Sequence, residues 1–98
     1  MTTKLHKITL RVDIGLLTVL ETYSTSIASS IRMLLQLALE KEYASIYDPN
    51  YIERDTVYHI TTRVDPFINN MIKEYASVND VSTSESTRRL LNLVITKL

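Results

Sequence analysis

The chain has 98 residues, 11 Lys plus Arg against 11 Asp plus Glu, and no cysteine. That length fits one domain spanning residues 1–98, the missing cysteines exclude disulfide frameworks and thiolate metal sites, and no apolar run is long enough to span a bilayer. Zero net charge offers no bulk attraction for nucleic acid, but the charge is laid out unevenly. Residues 1–12 hold Lys4, Lys7 and Arg11 with no acid, whereas residues 40–55 hold Glu40, Glu42, Asp48, Glu53 and Asp55 against Lys41 and Arg54. The acidic stretch is expected to be solvated. The N-terminal Met1-Thr2-Thr3-Lys4-Leu5-His6 lacks the apolar stretch of a signal peptide, so a cytoplasmic protein is expected.

Residues 7–12 alternate, with Ile8, Leu10 and Val12 to one side and Lys7, Thr9 and Arg11 to the other. This is the period of a half-buried strand. Asp13 then stands where a helix would be capped, and Leu16, Val19, Leu20 and Tyr23 fall at the spacing of one helical face. A second helix opens at Ser26 as N-cap, with an apolar face of Ile27, Ile31, Leu34, Leu35 and Ala38, and meets no breaker before Asp48-Pro49. It is expected to run to about Tyr43. Residues 45–57 read as a linker, with a turn at Tyr47-Asp48-Pro49-Asn50.

The pattern then repeats. Ile60-Thr61-Thr62-Arg63-Val64-Asp65 returns Ile8-Thr9-Leu10-Arg11-Val12-Asp13 at an offset of fifty-two, and residues 8–23 against 60–75 share six identities in sixteen. Ile60, Thr62 and Val64 are the inward row of this second strand; Thr62, in the place of Leu10, is its weak member. Asp65-Pro66 reads as N-cap plus first helical residue, and Ile68, Met71, Ile72 and Tyr75 repeat the apolar stripe. Asn79 or Asp80 is expected to take the left-handed conformation that ends this helix. A second block matches at an offset of fifty-six: Ser26, Ser30, Arg32, Leu34, Leu35 and Leu37 against Ser82, Ser86, Arg88, Leu90, Leu91 and Leu93. Ser82-Thr83-Ser84-Glu85 is a capping box, and the last apolar face runs Thr87, Leu90, Leu91, Val94, Leu98. Copy one is four residues shorter between its helices, so its first helix should end sooner.

A unit of this size duplicated once implies a pseudo-dimer, because about 45 residues alone bury too little surface to be stable. The expected fold is mostly α with a short two-stranded antiparallel β-ribbon, organised as residues 5–44, the linker 45–57, and residues 58–98.

Strand–helix–helix with Arg63-Val64-Asp65-Pro66 closing the strand and Val81-Ser82, Ser84-Glu85 and Arg88 opening the second helix resembles the ribbon-helix-helix DNA-binding unit of the MetJ/Arc/CopG type. Residues 5–39 look like a diverged copy, and the whole chain is similar to single-chain tandem regulators of the kind found in viruses of archaea, which would act in the host cytoplasm. The resemblance implies that both strands pair antiparallel and enter the major groove of double-stranded DNA. The base-reading set would be Lys7, Thr9, Arg11, His59, Thr61 and Arg63, with Arg suited to guanine and Thr to a thymine methyl or an acceptor. Backbone phosphates would be held at the starts of the second helices, by Ser26 and Ile27 and by Ser82 and Thr83, with Lys4 and His6 adding contacts from the N-terminal arm. Glu85 and Arg89 would take two positions of the family's buried Arg–Glu–Arg triad, where copy one has Ser29 and Met33. The chain departs from the pattern in lacking a glycine before either second helix, and in copy one in lacking the Pro and Glu.

Arg32 and Arg88 are expected as salt-bridging or surface residues, Tyr23 and Tyr75 as core, and Tyr43, Tyr47, Tyr51 and Tyr58 as cover for the linker. Because the two strands differ, one molecule should read a non-palindromic site; whether several molecules associate on DNA stays open. No cofactor, metal, membrane or small-molecule substrate is expected, and no enzyme: there is no nucleophile–base constellation, and Gly15 is the sole glycine. The competing class is a protein-interaction module, antitoxin-like or virion-associated, with Tyr47, Tyr51 and Ile52 as a sticky patch. Against an antitoxin, the chain is expected to lack a toxin-wrapping tail, since it stops at Leu98 within the last helix.

Overall fold

The two alternating segments become a pair of strands, β1 (His6–Val12) and β2 (Tyr58–Val64), which form a two-stranded antiparallel sheet. The structure is a computed structural model; it describes residues 4–52 and 54–98, so Glu53 of the acidic stretch and the first three residues of the N-terminus lie outside the described residues. Each strand leads into two helices: α1 (Ile14–Tyr23) and α2 (Ile27–Glu40) after β1, α3 (Pro66–Asn79) and α4 (Thr83–Lys97) after β2. A 3-10 turn, Tyr43–Ser45, sits between the halves. Among the described residues no helix is long and apolar enough to cross a membrane.

The register is set by the inward rows. Leu10, Val12, Thr62 and Val64 are buried and Ile8 and Ile60 half-buried, so the ribbon lies with one face on the helices. Below it one apolar core takes Leu16 and Leu20 from α1, Ile31, Leu34, Leu35 and Ala38 from α2, Ile68, Met71, Ile72 and Tyr75 from α3, and Leu90, Leu91 and Val94 from α4. The helices cross over: α4 packs on β1 and α2 on β2, while α2 and α4 pack on each other. Each half thus supplies the lid over the other half's strand.

Two buried hydroxyls tie the helices of each half together in the same way. Ser30, wholly buried, donates to the carbonyl of Leu20 at 2.7 Å, and Ser86, also wholly buried, donates to that of Ile72 at 2.7 Å. Both serines are identities of the second repeat block, and Leu20 and Ile72 are matched in the first. A hydroxyl in an apolar core is costly unless bonded, so each serine needs its carbonyl as much as the carbonyl gains from it.

The caps hold unevenly. Ser26 and Ser82 accept from the backbone N–H of Ser29 (3.0 Å) and Glu85 (3.1 Å). Asp65 accepts from Ile68 N–H at 2.9 Å. Asp13 occupies the N-cap position of α1 but makes no cap bond. Its carboxylate leans over Gly15, where a Cβ would come within 3.1 Å of Oδ2, and faces Arg54 at 3.8 Å. The capping box at Ser82 is half formed: the Glu85 carboxylate goes to Arg89 (2.9 Å) and Arg88 (3.7 Å), which offer charge where the Ser82 N–H offers only a dipole. As expected, α1 is shorter than α3, ten residues against fourteen, and Asp80 (φ 53°) ends α3 in the left-handed region. By contrast, α2 stops at Glu40 and not near Tyr43, because Glu42 turns left-handed (φ 59°) and starts the 3-10 turn. Leu98 is not on the buried face of α4; it caps the helix and is exposed.

The linker is fastened to the second half. Asn79 donates to the carbonyls of Ile46 (2.8 Å) and Tyr75 (3.1 Å) and accepts from Asp48 N–H (2.7 Å). Tyr51 accepts from Asn92 Nδ2 at 2.8 Å and lies with its ring 4.5 Å from the Arg89 guanidinium carbon. The tyrosines therefore do not act as one cover: Tyr51 is an anchor, Tyr43 packs on the core, Tyr47 is exposed, and Tyr58 begins β2. Tyr75 is core as expected, whereas Tyr23, expected there too, is half-buried at the edge of the core.

Candidate nucleic-acid interface

The outward row of the ribbon gathers all six of the residues expected to read bases. Lys7, Thr9, Arg11, His59, Thr61 and Arg63 are every one exposed. They face one another in three cross-strand pairs: Lys7 opposite Arg63, Thr9 opposite Thr61, and Arg11 opposite His59. The central pair is joined hydroxyl to hydroxyl at 3.2 Å. Thr9 and Thr61 are also repeat-equivalent positions, so the pair that the repeat relates is the pair at the middle of the ribbon.

The two strands carry three permanent cations, Lys7, Arg11 and Arg63, and no carboxylate. Since the whole chain is neutral, everything outside the ribbon sums to three negative charges. The zero net charge hides a separation of charge between the ribbon and the rest, and such a field acts on an approaching polyanion through its nearest face. The ribbon's two ends are unlike: Lys7 with Arg63 at one, Arg11 with His59 at the other.

Two arginines hold the ribbon from below. Arg88, buried, donates from Nη1 to the carbonyl of Arg11 at 3.1 Å; Arg32, exposed, donates to Thr62 Oγ1 at 3.3 Å. They are a matched pair of the repeat, and each reaches the strand of the opposite half. By sequence they are expected as salt-bridging or surface residues. The signal that singles them out was their matched spacing, but what they reach depends on the crossing of α4 under β1. The bond from Arg88 fixes the backbone of Arg11, so the guanidinium of Arg11 projects from a held position. The bond from Arg32 also satisfies the buried hydroxyl of Thr62, the polar member of the inward row.

Of the residues expected at phosphates, Ser26, Ser82, Thr83 and Lys4 are exposed, while the Ile27 side chain is half-buried against the core. His6 is not part of an N-terminal arm; it is the first residue of β1, opposite Val64 and in the inward row. Glu85 and Arg89 form a close ion pair at 2.9 Å, with the Arg89 guanidinium over the Tyr51 ring, and at the matching places the first half has Ser29 Oγ facing Met33 Sδ at 4.0 Å.

No family model matches this chain, and no curated protein or solved structure matches it. The chemistry of the ribbon is therefore what speaks to function.

Proposed function

We propose that the chain is a sequence-specific double-stranded DNA-binding transcriptional regulator, a tandem ribbon-helix-helix protein whose two units form a pseudo-dimer within one chain and whose β1–β2 ribbon enters the major groove. The observation that carries this is the exposed row of Lys7, Thr9, Arg11, His59, Thr61 and Arg63 on a ribbon free of carboxylates. Two strands about 4.8 Å apart suit a groove about 12 Å wide. Arg11 and Arg63 are the guanine readers, and the threonine pair sits over the centre of the site. Because Lys7 and Arg63 face one end and Arg11 and His59 the other, the preferred site is non-palindromic.

The test is fluorescence anisotropy with random-sequence duplex at low and moderate salt, for the wild type and for Arg11→Ala/Arg63→Ala. Tight, salt-dependent binding that is lost in the double variant, with unchanged circular dichroism, supports the reading. A wild type that ignores duplex DNA at low salt refutes it. The competing reading, a protein-interaction module, rests on the linker, but its patch is smaller than the sequence suggests. Tyr51 is committed to Asn92 and Arg89, which leaves Tyr47 and Ile52 exposed.

A further inference from the structure

A cleft opens beside the ribbon where β1 meets α3 and α4. Its polar lining is Lys7 and Thr9 from the strand, Asn69 and Lys73 from α3, and Thr83 and Thr87 from α4, over a floor of Ile8 and Ile72. Both lysines are exposed, neither is ion-paired to a carboxylate among the described residues, and no carboxylate lines the cleft. Two ammonium groups, the Asn69 amide and the Thr83 hydroxyl around a concave surface suit one tetrahedral oxyanion, while the buried Thr87 hydroxyl is already donated to the Thr83 carbonyl at 2.8 Å.

The repeat makes this cleft informative, because each lining residue has a counterpart in the other half. Lys7, Asn69 and Lys73 correspond to His59, Leu17 and Glu21 at the first offset, and Thr83 and Thr87 correspond to Ile27 and Ile31 at the second. The amide and the threonines of α4 are thus replaced by aliphatic chains and the lysine on α3 by a carboxylate, while Thr9 keeps a threonine, Thr61, as its match. Duplication supplied two equivalent places, and only one of them carries the chemistry of an anion site.

We propose that this cleft is a site for a single backbone phosphodiester of nucleic acid, that Lys73 is its main cation outside the ribbon, and that the protein consequently grips DNA backbone more strongly at one flank, the start of α2 offering the other flank no matching lysine. The proposal rests on the ribbon reading and deepens it. Lys7 stands at the Arg63 end of the ribbon, so base reading by Arg63 and the phosphate hold by Lys73 belong to the same flank. The opposite flank, with Glu21 at the matching place, holds the backbone less. An uneven hold gives the molecule a direction on its site that base contacts alone would have to supply.

The experiment measures affinity against salt for the wild type, Lys73→Gln and Glu21→Lys, on the preferred duplex and on duplexes with single methylphosphonate linkages scanned across both flanks. Lys73 and Glu21 are exposed, and circular dichroism checks that each variant folds. Lys73→Gln is expected to weaken binding about equally on all sequences and to lower the salt slope by about one. In the wild type, neutral linkages should weaken binding more on one flank than on the other, and that difference should shrink in Lys73→Gln. Glu21→Lys should raise the slope by about one and make the second flank more sensitive. A wild type that binds DNA with Lys73→Gln unchanged, or that needs phosphates equally on both flanks, overturns the one-sided cleft while leaving the ribbon as the reading head. A wild type blind to DNA removes both.

Discussion

The buried serines lend themselves to a paired test, because the same bond is made in two different settings. Leu20 lies in the last turn of α1, among the four carbonyls that a helix leaves without a helical donor. Ile72 lies in the middle of α3, where the helix itself supplies a donor. Ser30→Ala therefore exposes a buried carbonyl to loss of a main partner, whereas Ser86→Ala removes a second bond to a carbonyl already served. Leaving a buried acceptor unsatisfied costs about 1–3 kcal/mol, and losing an ordinary intramolecular hydrogen bond costs about 0.5–1.5 kcal/mol. Both substitutions remove only one oxygen from a wholly buried residue, so the packing change is small and common to the two. Ser30 Oγ also lies 3.1 Å from the Ser26 carbonyl, but that is the longer of its two contacts and belongs to the helix's own turn. The expected order is Ser30→Ala more destabilised than Ser86→Ala, by about 1 kcal/mol. Urea unfolding followed by circular dichroism reads this as a larger fall in midpoint at constant slope. If Ser86→Ala costs as much as Ser30→Ala, or if both cost less than about 0.5 kcal/mol, the argument from helix position is wrong.

Two further outcomes follow from the caps and from the buried phenol. Asp65→Ala should cost about 0.5–2 kcal/mol, since it removes a cap bond to Ile68 N–H. Asp13→Ala should cost under about 0.5 kcal/mol, since its partner among the described residues is the exposed Arg54; equal losses in urea midpoint would contradict the difference in geometry. Burial raises the pKa of Tyr75 above that of a free phenol, with nearby Arg89 pulling partly back and Asp48 adding to the rise. A phenol with a raised pKa in the folded state favours folding below its unfolded pKa, and that contribution is lost as pH climbs through the folded value. Stability of the wild type should therefore fall on going above about pH 10, and Tyr75→Phe should fall less over the same range. Identical alkaline losses in urea titrations of the two proteins would rule out Tyr75 as a source.

The elements themselves were legible because their causes are local. Alternation at Ile8, Leu10 and Val12 makes a strand wherever one face is covered, Asp65-Pro66 and Ser82 start helices through bonds to residues three positions on, and the stripe from Ile68 to Tyr75 needs no partner to be seen. The outward row of the ribbon was legible for the same reason, as the other half of the alternation. Where local signals compete, reading failed. Asp13 has the residue type of a cap but spends its carboxylate over Gly15 and toward Arg54, and Glu85 has the spacing of a capping box but meets two arginines.

Local pattern alone carries the order strand–helix–helix twice over, the two faces of each strand, and the identity of the six residues of the ribbon's outward row. Packing of the two halves is what puts Thr9 opposite Thr61, brings Arg88 to the carbonyl of Arg11, takes Ser30 and Ser86 to carbonyls on neighbouring helices, lets Asn79 pin the linker, and places Lys73 in a cleft with Lys7. Each of these joins residues on different elements, most of them tens of positions apart along the chain. Sequence periodicity fixes which way a side chain points from its own element, but not what it meets there. That depends on how α4 crosses under β1 and α2 under β2, a geometry set by filling one core from both halves at once.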